Sequence, residues 1–133
     1  MGAVVLDTSV LFGLLDDRDP HHAAATRALT NLPSTEKVII PTSVVSELLV
    51  GAMRRGPAAV RTTEAFVDDV ADVVHVIDLA VAREAARLRA THRSLRLPDA
   101  LVLGCAVVVS AERVLTADKR WAAVDPRVEV IGG

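Results

Sequence analysis

Short apolar runs alternate along this chain with longer segments in which apolar residues recur at helical spacing. The apolar runs predict strands at residues 3–6, 38–40, 73–77, 113–115 and 128–131. The intervening segments predict helices at residues 9–16, 20–31, 42–54, 57–72, 79–92, 98–109 and 118–124. Strands that alternate with helices form a parallel sheet with helices on both faces. The pattern therefore predicts an α/β fold: one small domain over residues 1–133 with a mostly parallel, twisted sheet.

The composition supports one folded domain with an aliphatic core. The chain has 133 residues, of which 51% are hydrophobic and only 2% aromatic. Cys105 lies in the apolar stretch 101–109, which predicts a buried, unreactive thiol. That stretch is too short to span a membrane. The first strand begins without a preceding basic region, so we expect no secretory signal and a cytoplasmic location.

Prolines and hydroxyl residues mark several predicted helix starts. Pro20 and Pro98 suit the first turn of a helix, where the missing N–H group costs nothing. Pro41 closes the second strand, and Thr42 and Ser43 follow it as candidate N-caps. These positions set the expected junctions between strands and helices.

Four acidic residues fall where strands end or where the following helices run. Asp7 ends the first strand, and Asp118 follows the strand at residues 113–115. Asp99 lies in the first turn of its helix, and Glu47 lies within the helix at residues 42–54. The carboxyl ends of parallel strands share one edge of a sheet, where open α/β proteins bind their ligands. We therefore expect these four carboxylates to lie close together.

Each acid also has a purely structural interpretation. Asp7 and Asp118 are possible N-caps, and Asp99 is a first-turn acid of the kind that the helix dipole favours. Glu47 differs, because a capping box requires Ser or Thr three positions earlier, where the chain has Val44. Its helical neighbours include Val44 and Leu48, which predicts a carboxylate on an apolar face that needs compensation.

Several carboxylates at one edge repel each other unless a cation or protons intervene. A hard divalent cation such as Mg²⁺ prefers oxygen ligands and keeps several waters. It can activate water and stabilise charge on a phosphate group. The four acids come without a cluster of His or Cys residues, which disfavours zinc.

Four segments in this order resemble the PIN-domain ribonucleases. They are the Leu-Asp-Thr-Ser segment at 6–9, the Pro-x-Ser-x-x-x-Glu segment at 41–47, the segment at 95–100 and the Leu-Thr-x-Asp segment at 115–118. Together they extend over most of the chain. The chain is also similar in size to the VapC-like toxins of toxin–antitoxin pairs.

The resemblance implies an endoribonuclease that hydrolyses RNA with bound Mg²⁺ or Mn²⁺. It implies an acidic pocket made by Asp7, Glu47, Asp99 and Asp118, in which Asp7, Asp99 and Asp118 bind the metal. Glu47 would then position or deprotonate the attacking water. The resemblance also implies a homodimer and a cognate antitoxin that inhibits the site. The supporting hydroxyl groups would be those of Thr8, Ser9 and Thr116.

Positive charge is concentrated in one segment although the formal net charge is −2. Residues 83–96 contain five arginines, which form a candidate track for the RNA backbone. A solvated helix face explains the same residues equally well. The candidate RNA-binding residues are Arg83, Arg87, Arg89, Arg93 and Arg96.

Other partners and functions remain open from the sequence. The helices at 42–54 and 57–72 carry many apolar residues, which predicts either core packing or a surface for an amphipathic antitoxin helix. The main alternative function is a non-catalytic interaction module whose acids only cap helices. A phosphotransferase with Asp7 as nucleophile would usually carry a second acid at position 9, where this chain has Ser9. A receiver domain would carry an acidic pair after the first strand. This chain does not fit that pattern, because Asp7 is followed by Thr8.

Overall fold

The strands form one parallel sheet with β1 at its centre. The computed structural model describes residues 2–132. Over these residues the strand order is β3-β2-β1-β4-β5, and every neighbouring pair is parallel. The predicted α/β fold with a parallel sheet is confirmed. The strands are β1 (Gly2–Leu6), β2 (Glu36–Pro41), β3 (Val73–His75), β4 (Arg113–Thr116) and β5 (Val128–Val130).

Helices connect the strands and cover the sheet. Right-handed crossovers require helices on both faces, because the chain runs outwards from β1 to β3 and then returns to β4 and β5. None of the helices among residues 2–132 has the length and apolar character needed to cross a membrane. The helices are α1 (Thr8–Leu15), α2 (His22–Thr30), α3 (Thr42–Arg55), α4 (Pro57–Val70), α5 (Leu79–Thr91), α6 (Leu97–Val108) and a 3-10 helix (Lys119–Ala123).

The strand order creates a crevice between the ends of β1 and β4. β1 leads to β2 on one side of the sheet, whereas β4 lies on its other side and leads to β5. Leu6 pairs in register with Leu115, so both strands reach the same edge at the same level. Open α/β folds bind ligands at such a reversal of strand order. The fold therefore predicts a site next to the residues that follow these two strands.

The core is aliphatic, as the composition predicts. Val4, Val5 and Leu6 are completely buried, which explains why β1 is a continuous apolar run. Cys105 is also completely buried in α6, and burial raises the pKa of its thiol to about 12. The inert thiol predicted from the sequence is consistent with this environment.

Gly104 allows close packing of α5 against α6. A Cβ atom at this position would lie 2.9 Å from the backbone N of Ala85 and 3.0 Å from the carbonyl O of Val81. Both atoms belong to the backbone of α5, so neither can rotate away. The missing side chain at residue 104 therefore sets how closely α6 approaches α5, and with it the position of Asp99 at the start of α6.

Some predicted helix junctions are wrong. Helix α3 begins directly at Thr42 with Pro41 as its N-cap and no side-chain capping bond. Thr42 instead accepts a hydrogen bond from the backbone N–H of Ile77, 3.2 Å away, and the Ser43 hydroxyl has no partner among the described residues. Pro20 precedes α2, which begins at His22. The third strand is also shorter than predicted and ends at His75.

Candidate active site

Asp7 lies where β1 passes into α1. Its backbone N–H donates to the carbonyl of Leu115 in β4 at 3.0 Å, which continues the pairing of the two strands. Its Oδ1 accepts a 2.8 Å hydrogen bond from the backbone N–H of Thr8, so the side chain caps α1. Only 8% of the residue is exposed. Asp7 is thus a buried carboxylate at the strand reversal and an N-cap as well.

Two hydroxyl groups hold the second oxygen of Asp7. Ser9 Oγ and Thr116 Oγ1 each donate to Asp7 Oδ2 at 2.8 Å. The same hydroxyls accept hydrogen bonds from the chain after β4: the N–H of Ala117 donates to Ser9 Oγ and that of Asp118 to Thr116 Oγ1, both at 3.0 Å. This network ties the start of α1 to the end of β4 and fixes the orientation of the Asp7 carboxylate.

Opposing effects act on the ionisation of Asp7. Burial raises the pKa of its carboxyl group above the ordinary value, while the hydrogen bonds from Thr116, Ser9 and Thr8 lower it, and the charge of Glu47 raises it further. The net direction is upwards because burial is the largest effect. The hydrogen-bond donors therefore orient the Asp7 carboxylate, but they do not offset the effect of burial on its pKa.

Glu47 reaches the site through Thr8. The Thr8 hydroxyl donates to Glu47 Oε1 at 2.8 Å, which links α1 to α3. Glu47 as a whole is exposed, whereas Val44 and Leu48 on the same helix are buried. The prediction of a desolvated carboxylate on an apolar face is therefore wrong. Glu47 is thus an exposed carboxylate whose Oε1 is held by the hydroxyl of Thr8.

Asp99 is the acid with the least compensation. It lies in the first turn of α6 and is partly buried. Burial raises the pKa of its carboxyl group, and the charges of Asp7, Asp118 and Glu47 raise it further, against a lowering effect of Arg96. Its carboxylate has no hydrogen-bond donor among residues 2–132. The other three predicted acids therefore all lie within electrostatic reach of Asp99.

Asp118 is compensated by an arginine. Its side chain caps the 3-10 helix by accepting from the N–H of Arg120 at 3.0 Å. The guanidinium of Arg120 also grips the carboxylate, with Nε 3.0 Å from Oδ1 and Nη2 2.7 Å from Oδ2. These bonds from Arg120 hold the pKa of Asp118 below its ordinary value. Asp118 is therefore the one acid of the four whose charge is balanced by a partner in contact with it among the described residues.

A small cavity of about 90 Å³ opens beside Asp99 and Asp118. Arginines border it on two sides, Arg96 at the start of α6 and Arg120 on the 3-10 helix. Trp121 forms an apolar part of the wall and is almost completely buried. The cavity thus combines acidic oxygens with guanidinium groups, which suits a phosphate held next to a cation.

Comparisons with known proteins identify the family of this fold. The model of the PIN domain matches residues 4–126, nearly the whole chain. The chain belongs to the PIN-domain family. The comparison with curated protein sequences gives no match. The PIN-domain ribonucleases are the family that the four sequence segments resemble.

Several solved structures share the fold over nearly their full length. A toxin–antitoxin complex from Klebsiella pneumoniae is 24% identical, with a TM-score of 0.78 and 96% of each chain covered. VapC20 of Mycobacterium tuberculosis, described as a toxin that cleaves the sarcin–ricin loop, is 20% identical, with a TM-score of 0.75, 90% of this chain and 93% of that chain covered. VapBC-5 of the same organism is 29% identical, with a TM-score of 0.65 and 98% of each chain covered.

The predicted arginine track is only partly directed at the acidic cluster of this PIN domain. Arg83, Arg87, Arg89, Arg93 and Arg96 are all exposed. Arg87 pairs with Glu84 at 2.8 Å, and Arg89 donates to the carbonyl of Leu95 at 3.1 Å. Among the five, Arg96 lines the cavity beside Asp99.

Sequence reasoning missed Arg120. It lies two residues after Asp118, and the tight 3-10 turn lets its guanidinium fold back onto that carboxylate. A basic residue two positions after a candidate ligand is the only signal in the sequence, and it is a weak one. Nothing in the spacing distinguishes Arg120 from an ordinary solvated arginine.

The donor set fits a hard divalent cation, although the ligands are not yet gathered around one point. Among residues 2–132, no three His, Cys, Asp or Glu side chains converge closely enough to hold an ion as they stand. The donors are nevertheless carboxylate oxygens, the type that Mg²⁺ prefers. Asp7 Oδ1 accepts one hydrogen bond and has a lone pair to spare, and the described residues donate none to Asp99. A cation held by these acids would therefore require movement of side chains, and it would compete with Arg120 for the oxygens of Asp118.

Proposed function

We propose that this PIN domain is a metal-dependent endoribonuclease, the toxin of a toxin–antitoxin pair. The observation that carries the proposal is the state of Asp99. This carboxylate lies among Asp7, Asp118 and Glu47, its pKa is raised by burial and by all three of these charges, and no described residue donates to it. Uncompensated carboxylates at the strand reversal call for a cation.

Asp7, Asp99 and Asp118 would hold the cation, Mg²⁺ or Mn²⁺. Such an ion activates water and stabilises charge on the scissile phosphate. The chain's own residues prepare the site. Ser9 and Thr116 fix Asp7 Oδ2 by hydrogen bonds of 2.8 Å, which leaves the orientation of that carboxylate unchanged when a ligand arrives. Because these hydrogen bonds orient the Asp7 carboxylate before the reaction, little free energy is lost to its reorganisation during the reaction.

Glu47 would position the attacking water and accept its proton. The Thr8 hydroxyl occupies one lone pair of Oε1 and so orients the side chain. Because Glu47 is exposed, its carboxylate stays in contact with bulk water. An oriented carboxylate next to a metal site is a suitable general base.

The two arginines of the cavity would bind the RNA backbone. Arg96 and Arg120 line the same small space as Asp99 and Asp118, so a phosphate there meets guanidinium donors and the metal ligands together. The chain has no tyrosine and few aromatic residues, which leaves phosphate contacts and RNA shape as the main means of recognition. The exposed arginines from position 83 to 93 would extend this contact.

Partner surfaces support the toxin assignment. The similar structures include a toxin–antitoxin complex and VapBC-5, and the proposal extends their kind of assembly to this chain. Helix α3, where we predict an antitoxin surface, exposes Val50 and Met53, whereas α4 turns Thr63 and Val67 into the interior. A second apolar patch lies on α1, where Phe12 and Leu15 are exposed. Two patches provide surfaces for the proposed antitoxin and for a second copy of the chain.

The competing function is a non-catalytic interaction module. It is favoured by the finding that Asp7 and Asp118 do cap helices, and by the absence of a preformed three-ligand group among residues 2–132. This function predicts that Mg²⁺ leaves the thermal stability unchanged. It does not explain why Asp99, which caps nothing through its side chain, faces three other acids.

Cleavage of RNA separates the two functions. Purified, antitoxin-free protein is incubated with total RNA, with single-stranded DNA as a second substrate, in Mg²⁺, in Mn²⁺ and in chelator. The control variant Asp99→Asn keeps the shape of the side chain and removes its charge. We expect discrete RNA fragments only with metal and only for the wild type. Intact RNA after incubation with metal-bound wild-type protein would reject the nuclease in favour of the interaction module, and cleavage of DNA alone would reject RNA as the substrate.

A further inference from the structure

Arg120 occupies the oxygens through which Asp118 would bind a metal. Nε contacts Oδ1 at 3.0 Å and Nη2 contacts Oδ2 at 2.7 Å, so the guanidinium grips both oxygens in a bidentate pair. The backbone N–H of the same residue adds a third bond to Oδ1 at 3.0 Å. With these bonds, one lone pair of Oδ2 remains free. A cation and the Arg120 guanidinium therefore compete for the same carboxylate.

The ion pair with Arg120 sets Asp118 apart from the other two proposed metal ligands. Asp7 accepts hydrogen bonds from the hydroxyls of Ser9 and Thr116 and from the backbone N–H of Thr8, but it pairs with no cation among the described residues. The described residues donate no hydrogen bond to Asp99. Arg120 therefore supplies to Asp118 alone the positive charge that a metal would supply to all three acids.

The ion pair between Asp118 and Arg120 can separate readily. The side chain of Arg120 is 80% exposed and that of Asp118 is 24% exposed, so water can replace either partner. Exposed ion pairs contribute little to stability and are readily exchanged. The neighbouring cavity gives the released guanidinium a space to enter. The ion pair can therefore break and re-form, unlike a contact within the core.

We propose that Arg120 is a latch on the metal site, which occupies the carboxylate oxygens of Asp118 until a divalent cation displaces it. This inference rests on the proposed metal site of the nuclease and adds its regulation. Without metal, Asp118 and Arg120 stay together as a neutral ion pair. The latch lowers the affinity for the cation, because the cation must break this pair to bind Asp118. Arg120 is a positioning residue in this role, since it acts through Asp118.

The replacement Arg120→Lys distinguishes a latch from a mere nearby charge. Lysine keeps the positive charge but cannot form the planar, two-bond grip on a carboxylate. Arg120→Gln removes the charge as well. If only charge mattered, the lysine variant would bind metal as the wild type does, and only the glutamine variant would bind it more tightly.

Calorimetric titration of each protein with Mn²⁺, without RNA, tests the latch directly. We expect Arg120→Lys to lower the Kd for Mn²⁺ about two- to fivefold, the range that corresponds to an exposed ion pair, and Arg120→Gln to lower it at least as much. Arg96→Lys is the matched control, because Arg96 lines the same cavity without gripping Asp118, and it should leave the Kd unchanged. An equal Kd for Arg120→Lys and wild type would overturn the latch.

The background of Asp118→Asn provides the second test. Without the carboxylate there is nothing to grip, so Arg120→Lys should no longer change the affinity for Mn²⁺. The same gain in both backgrounds would also overturn the proposal, as would absence of Mn²⁺ binding by every protein. Failure of the nuclease proposal has a different signature: Mn²⁺ would bind with the expected pattern of affinities, and RNA would stay intact.

Discussion

The hydroxyl of Thr116 at the end of β4 donates a 2.8 Å hydrogen bond to Asp7 Oδ2 at the end of β1, although the two residues are 109 positions apart in the chain. Thr116 is completely buried and Asp7 nearly so. The bond crosses the crevice where the strand order reverses. It therefore couples the integrity of the sheet to the orientation of a proposed metal ligand.

Replacement of Thr116 by Val should destabilise the protein. The valine side chain has nearly the same shape but leaves the buried Asp7 carboxylate without one donor, at a cost of about 1.5–3 kcal/mol for a hydrogen bond to a charged group. Urea unfolding in chelator measures the loss. Thr116→Ser, which keeps the hydroxyl, is the control and should retain most of the stability. Equal stability of the valine variant and the wild type would show that the bond contributes nothing.

The contribution of Asp99 to the stability of the metal-free protein should fall as the pH rises through the acidic range. Asp99 has a raised pKa in the folded state, so the folded protein binds this proton more tightly than the unfolded chain does. Its contribution is complete below the unfolded pKa of about 3.9 and is lost as the pH passes the folded pKa. Asp118, with its lowered pKa, acts in the opposite direction.

Comparison with Asp99→Asn isolates this effect from the other acids. The difference in the free energy of unfolding between variant and wild type, measured in chelator at several pH values, should favour the variant increasingly as the pH rises. Saturating Mg²⁺ should remove the advantage. A difference that does not depend on pH would contradict the raised pKa of Asp99.

Thr8→Val should slow catalysis without weakening the binding of RNA. The change removes the 2.8 Å bond that holds Glu47 Oε1, and misplacement of a general base costs about 10- to 100-fold in rate. We expect kcat to fall while KM and the affinity for Mn²⁺ stay the same. Thr8→Ser keeps the donor and should stay close to the wild type. A rise in KM at constant kcat would assign Thr8 to substrate binding instead.

Arg96→Gln should weaken the binding of single-stranded RNA and reduce its dependence on salt. Loss of one phosphate contact lowers the slope of log K against log salt by about 0.7. Filter binding of an RNA strand in chelator, at several salt concentrations, measures this slope. Arg83→Gln on the exposed face of α5 is the comparison and should change it less. A larger effect of Arg83→Gln would indicate that the RNA phosphate contacts the outer part of the arginine segment and not the cavity.

The strands and the edge that carries the site could be predicted because their signals are local. The run that ends at Leu6 is apolar throughout, as a strand buried on both faces requires, and Asp7 follows it directly. The family model and the parallel sheet confirm the predicted fold. The catalytic and metal-binding roles of the four acids stay predictions, which the experiments above address.

Features that depend on side-chain direction could not be predicted. Periodicity placed Glu47 beside the buried Val44 and Leu48, but helix α3 turns it towards solvent while one of its oxygens still reaches Thr8. The grip of Arg120 on Asp118 depends on a 3-10 turn whose geometry the sequence does not reveal. Thr42 and Ser43 are typical N-caps by residue type. Neither caps α3, because the helix already begins at Thr42 and has Pro41 as its N-cap.

Anomalous diffraction from crystals soaked in Mn²⁺ tests the central claim most directly, namely that separate acids at the strand reversal form one metal site. We predict a single strong peak bound by carboxylate oxygens of Asp7, Asp99 and Asp118, with the Arg120 guanidinium moved off Asp118. Crystals of Asp99→Asn treated in the same way should show a much weaker peak or none. A wild-type crystal with full Mn²⁺ occupancy elsewhere, and no peak between these three acids, would contradict the account.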